Sequence, residues 1–150
     1  MPVNSDLKKA AMTGFTIHHQ LLVGCHRLGR FNFCHVLLHK NALLAWFILV
    51  PETDVTDLLD LPDAQRIAAT NEAALASQFL KQRLGYPKIN FAAIGNVVAQ
   101  LHLHVVGRKP GDACWPAPVW GNLPDGPPYA AQRLEEIASE LSDYYGLRRY

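Results

Sequence analysis

A chain of 150 residues is long enough for one domain with its own core, and its 18% of charged residues falls below the roughly 25% of an average globular chain. With 49% hydrophobic residues, that shortage of charged surface favours a homodimer, in which a second copy covers apolar area. A net charge of +1 and the lack of any long Lys or Arg run exclude a nucleic-acid face built on phosphate neutralisation.

The longest apolar run, Ala42 to Val50, is nine residues, well short of the roughly 20 that a membrane helix requires. No apolar stretch follows the N-terminal charges, so neither a membrane span nor a signal peptide is expected. Cys25, Cys34 and Cys114 are odd in number and widely spaced, which reads as reduced thiols in a cytoplasmic protein. Cys25 and Cys34 are expected in the core.

Residues 1–14 are polar and mixed and are expected to be loosely held. Between Thr16 and Arg30 the signals conflict: Leu21, Leu22 and Leu28 suggest a short helix or strand, interrupted by Gly24 and Gly29. Phe31 to Leu38 reads as a strand, and Trp46 to Val50 as a second, nearly all apolar and stopped by Pro51. The short link around Asn41 fits a hairpin. Pro62 opens the clearest helix, with Asp60 and Asp63 at its positive end. Ile67, Asn71, Ala74, Leu75, Phe79 and Leu84 recur at helical spacing, and Gly85 with Pro87 closes a helix of about 22 residues. Lys88 to Ile94 and Val97 to Val106 read as two further strands joined at Gly95-Asn96. Residues 110–128 hold six prolines and three glycines, with Trp115 and Trp120 between them, and suit an active-site wall or a dimer contact. From Tyr129, apolar positions to Tyr145 predict a C-terminal helix ending near Gly146. The sum is a single α+β domain over 1–150, with its core at about 16–121 and the second helix at about 129–145. Its antiparallel sheet has about five strands.

The chemistry concentrates in Gln100-Leu101-His102-Leu103-His104-Val105-Val106. On a strand, alternate side chains share a face, so Gln100, His102 and His104 point one way, with Leu101, Leu103 and Val105 beneath them. A single histidine in a strand is more often a satisfied core or surface residue. His18, His19, His26 and His35, which have no partner pattern, are assigned such roles, and His39 at the hairpin end is a weaker candidate for lining a pocket. A mononuclear zinc site needs at least three protein ligands, and no acidic residue follows His104 before Asp112, so metal chemistry is the lesser reading. Phosphoryl chemistry needs no third ligand. One neutral imidazole attacks phosphorus, and a second, two residues on, bonds the phosphate or assists the leaving group. Gln100 could orient the phosphate, and Gly95-Asn96 offers close backbone approach with an amide donor. Arg108 shares the parity of His104 but reads more readily as a solvated charge at the strand end.

Residues 95–106 resemble the His-φ-His-φ-His-φ-φ signature of the histidine-triad nucleotide-binding and hydrolase family, where φ is apolar. Trp46 to Pro51 is similar to that family's apolar strand ending in proline, and the helix at 62–84 stands where the family's long helix stands. Trp115-Pro116 and Pro118-Val119-Trp120-Gly121 resemble a bacterial branch with Gln at the first triad position, and the resemblance covers roughly residues 30–121. It implies that His102 is the nucleophile on an α-phosphate, that His104 bonds phosphate and assists the leaving group, and that Asn96 touches phosphate. Asn41 would take the ribose-side position. Gln100 stands where the first histidine, which supports the nucleophile, is expected.

The function so implied is a nucleotidyl hydrolase or transferase, acting on an adenosine-type purine nucleotide or conjugate through a covalent nucleotidyl-histidine. No cofactor or metal is required. The alternatives are a nucleotide-binding module without turnover and, third, a metal-dependent hydrolase.

Overall fold

The structure is a computed structural model, and it describes residues 14–150. The expectation for residues 1–14 therefore lies outside the described residues, apart from Gly14. The conflicting signals of Thr16–Arg30 resolve into two elements, a short helix α1 (His19–Val23) and a strand β1 (Cys25–Arg30), divided at Gly24. Strands β2 (Cys34–His39) and β3 (Trp46–Pro51) follow, and each pairs antiparallel with the strand before it. Next come the long helix α2 (Asp63–Gln82), β4 (Lys88–Ala92), β5 (Leu103–Arg108), helix α3 (Ala131–Tyr145) and β6 (Arg148–Arg149). The six strands form one sheet in the order β4-β5-β3-β2-β1-β6. The antiparallel α+β architecture stands as expected, with β6 as an addition that the sequence reading omits.

Every residue of β3 is buried because both faces of the sheet are covered. Phe47 and Leu49 pack with Phe79 of α2 and Leu141 of α3, while Trp46, Ile48 and Val50 pack with Ile17, Leu21 and Val119. In β5 the same alternation turns Leu103 and Val105 towards the helices and Val106 away from them. Cys25 and Cys34 are buried as anticipated, and all three cysteines are free.

Two expectations need correction. The buried stripe of α2 is Ala69, Glu72, Ala73, Ala76, Phe79 and Leu80, whereas Ile67 and Ala74 face solvent. Bulk misleads here: alanines let the helix lie close to the sheet, and Glu72 turns inward to accept hydrogen bonds from the backbone N–H groups of Phe33 (2.8 Å) and Cys34 (3.2 Å). The strand expected over Val97–Val106 begins only at Leu103. The β4–β5 ladder runs from Lys88↔Arg108 to Ala92↔His104 and stops, so residues 93–102 form an irregular loop with Gly95 in the left-handed region.

Candidate active site

β5 is hydrogen-bonded on both sides, to β3 and to β4, so a side chain on it has a fixed origin. His104 lies on this strand, with Ile48 as its partner on β3 and Ala92 on β4. His102 lies one residue before the strand begins, and the two rings meet edge to face with centroids 4.8 Å apart. Both side chains are nearly buried, at 7% and 6% exposure.

The proton positions follow from the hydrogen-bond partners. His102 Nδ1 lies 2.7 Å from the backbone carbonyl oxygen of Gln100. A carbonyl can only accept, so Nδ1 carries the proton and the neutral ring has its lone pair on Nε2. For His104 the situation is reversed: the indole N–H of Trp46 donates to Nδ1 at 3.1 Å, leaving the proton on Nε2. The pair thus offers one nucleophilic lone pair and one N–H donor. Burial, followed by the neighbouring rings of His102 and His39, pushes the His104 pKa down to about 4, so that ring is neutral near pH 7.

The remaining candidates lie in varied surroundings. Gly95 and His102 line the same cavity of about 460 Å³, along with Thr56, Asp57, Leu58 and Ile94. Asn96 is exposed on the loop beside it. The Gln100 side chain turns to the N-terminal segment instead, accepting from His18 N–H and donating to the Thr16 carbonyl, each at 2.8 Å. Asn41 spends its amide on its own surroundings: Nδ2 donates to the Pro124 carbonyl (2.9 Å) and Oδ1 accepts from Leu43 N–H (3.0 Å). Gln100 and Asn41 therefore sit in hydrogen bonds that tie down the segments next to the histidine pair.

Arg108 is not a solvated strand-end charge. At 1% exposure it makes two hydrogen bonds to Asp112, at 2.8 and 3.1 Å, and donates to Asn90 Oδ1 at 2.9 Å. The salt bridge holds the Asp112 carboxyl down at about 2, and that carboxylate also accepts from the N–H groups of Lys109 and Cys114. The turn so fixed starts the Pro- and Trp-rich loop, whose Trp120 lies edge-on to His104 with centroids 5.2 Å apart. That loop is a wall beside the histidines, as one of the two sequence readings has it.

Two residues around the pair, Trp46 and His39, were missed or undervalued by the sequence reading. Trp46 is taken only as an apolar strand residue, although a buried indole N–H needs a partner, and that need is the signal. His39 stacks parallel on Trp46 at 4.3 Å, so it supports the site from behind. His35 keeps the structural role assigned to it: Nε2 donates to Glu52 (2.7 Å), Nδ1 pairs with the Tyr150 hydroxyl, and Glu52 also holds Arg30 at 2.6 Å. Among the described residues no group of three or more His, Cys, Asp or Glu side chains is arranged to hold a metal.

Several solved structures share this arrangement of elements. A histidine triad protein from Sinorhizobium meliloti is 33% identical, with a TM-score of 0.82 over 88% of this chain and 98% of its own. One from Marinobacter aquaeolei is 36% identical, with a TM-score of 0.78 over 85% of this chain and 93% of its own. A third, from Bradyrhizobium japonicum, is 32% identical with a TM-score of 0.79, covering 86% of this chain and 96% of its own. No curated protein matches the chain. With residues 23–111 matching the HIT domain and the fold shared nearly end to end, the chain belongs to the histidine-triad (HIT) family, whose members are in general nucleotide-binding hydrolases and transferases.

Proposed function

We propose that the chain is a nucleotidyl hydrolase or transferase of the branch that carries Gln at the first triad position, acting on the α-phosphate of a purine nucleotide conjugate. The observation that carries this reading is the opposed pair of tautomers, a lone pair on His102 Nε2 beside an N–H on His104 Nε2. In the first step the His102 Nε2 pair forms an N–P bond while the bond from phosphorus to the leaving group breaks. The leaving group departs with that electron pair and takes a proton from solvent water. His104 donates its N–H to a phosphate oxygen and stabilises the charge that builds there. Water then attacks phosphorus and gives up a proton to solvent, the N–P bond breaks, the pair returns to Nε2, and the monophosphate leaves.

Binding without turnover is weakened as an alternative by the way His102 is held. The backbone carbonyl of residue 100, and not its side chain, fixes the tautomer, so Gln in place of His leaves that hydrogen bond intact. The cavity of about 460 Å³ beside His102 lies within the 300–1,000 Å³ usual for small-molecule sites. Gly95 and Asn96 are assigned to the phosphate and Asn41 to the ribose side, with the Asn41 amide also serving the loop.

The assembly proposed is a homodimer formed along β4, the edge strand, where Phe91 leaves apolar surface in solvent. An antiparallel strand edge is self-complementary under a two-fold axis, which suits a second copy of the same chain. A cytoplasmic location is consistent with the three free thiols, and no helix among the described residues is long and apolar enough to cross a membrane.

The test is incubation with an amide-linked AMP analogue. Wild type is expected to release AMP and to yield an acid-labile phosphohistidine adduct on rapid quenching, and His102→Ala to do neither, with turnover reduced at least a thousandfold, on the order of the loss when a covalent nucleophile is removed. Equal AMP release by the two proteins removes His102 from the mechanism. Tight nucleotide binding by wild type, with neither adduct nor product, leaves the binding module.

A further inference from the structure

The indole of Trp46 is buried, and its N–H reaches a ring 58 residues away in sequence, His104 Nδ1, at 3.1 Å. Strand pairing makes that reach reproducible. Trp46 opposes Val106 and Ile48 opposes His104, so the indole leans along one face of the sheet onto the imidazole. The plane of the indole is held as well. His39 lies parallel to it (4.3 Å, 7°), and Trp120 meets it edge-on (6.0 Å, 85°). His39 is itself anchored, because its Nδ1 accepts from Asn41 N–H at 3.1 Å. An indole can donate and never accept, so this contact exists only while Nδ1 of His104 keeps its lone pair.

From this geometry we propose that Trp46 is a positioning residue, which locks His104 in the tautomer that presents Nε2–H to the substrate phosphate. The consequence for catalysis rests on the nucleotidyl-transfer reading above, but the tautomer itself does not. The groups that face His104 are His102 from its own loop, His39 and Trp46 from β2 and β3, and Trp120 from the Pro-rich loop. Of these only His102 and His39 can titrate, and neither donates to Nδ1, so the indole is the sole partner of that nitrogen among the described residues. Protonating His104 on Nδ1 would break the contact and bring two donors face to face. Trp46 therefore also resists the loss of neutral His104 as the pH falls.

The clean deletion is Trp46→β-(3-benzothienyl)alanine, which keeps the ring shape and its stacking on His39 while replacing N–H by sulphur. Trp46→Phe serves as the genetically simple companion. Nitrogen-15 spectra of wild type should show His104 protonated on Nε2, with a resolved coupling across the Trp46–His104 hydrogen bond. In the isostere the midpoint of His104 titration should rise by about 1 towards the ordinary 6.5, the equivalent of one lost hydrogen bond. With the AMP amide, kcat should fall about tenfold while KM stays within about twofold. Two results overturn the proposal: His104 protonated on Nδ1 in wild type, or a titration and kcat unchanged in the isostere. A wild type that turns over no nucleotide, while the titration still moves, sinks the functional reading and leaves the tautomer lock standing.

Discussion

A buried guanidinium is stable only while its partners hold it, and Arg108 has Asp112, Asn90 and the Cys114 sulfur. Removing the charge from Asp112 leaves Arg108 sealed in with no counter-ion, which in comparable buried pairs costs 3–5 kcal/mol, so Asp112→Asn should destabilise the protein by about 3 kcal/mol in denaturant unfolding. It should also leave one of the N–H groups of Lys109 and Cys114 without its acceptor, since the amide keeps a single oxygen, loosening the turn that brings Trp120 to His104. The same substitution on a solvated pair would cost well under 1 kcal/mol, about the worth of an exposed ion pair. Stability measurements therefore distinguish the two views of Arg108 directly. Sequence parity placed Arg108 on the histidine side of the strand, but only the fold reveals that Asp112 turns back onto it.

At the level of elements, α2 is attached to the sheet through more than apolar contact. Glu72 accepts from the N–H groups of Phe33 and Cys34, where the chain turns from β1 into β2. Glu72→Ala strands both donors in the interior and should lower stability by about 3 kcal/mol, at 1–3 kcal/mol per unsatisfied group, with the m-value unchanged. Helix existence and span were legible in the sequence because Pro62, Gly85 and Pro87 mark the ends by local sterics. The buried face was not, because Ile67 outweighs an alanine in any count of hydrophobic positions, although here the alanines meet the sheet. The histidine strand shows the same division. Its apolar alternation was readable, but its start was not, since β4 ends its pairing at Ala92 and leaves Gln100 and His102 outside the ladder. The shared face assumed for Gln100, His102 and His104 holds for the two histidine rings, which meet at 4.8 Å, while the side chain of Gln100 goes to Thr16 and His18.

For the whole molecule, burial and neighbouring charge set the response to acid. His26, His35, His39 and His104 all have lowered pKa values, His104 reaching about 4, and burial is the leading cause in each. The unfolded chain therefore binds more protons than the folded one between the ordinary 6.5 and those lowered values, so stability falls as the pH drops through that window. His104 alone accounts for about 3 kcal/mol of that loss between pH 6.5 and about 4. Glu72, whose pKa burial raises from 4.5, has the opposite sign and offsets part of the loss near the low end. Asp112, held at about 2, adds a further loss below 3.8. Urea unfolding across pH 4 to 7 should accordingly show midpoints declining towards acid, and His104→Asn should flatten the slope.

The two imidazoles each commit one nitrogen inward, to the Gln100 carbonyl and to the Trp46 indole, and so present unlike outer atoms. A transition-metal ion seeks lone pairs from both rings of such a couple, and here it would meet a single electron pair beside a hydrogen of partial positive charge. To chelate, His104 would have to surrender its indole contact or move its proton. A tetrahedral anion meets no such obstacle, since phosphorus can accept the pair while one of its oxygens accepts the hydrogen. On the proposed reading, the orientation of one tryptophan in a neighbouring strand thus biases the whole couple against cations and towards phosphate esters.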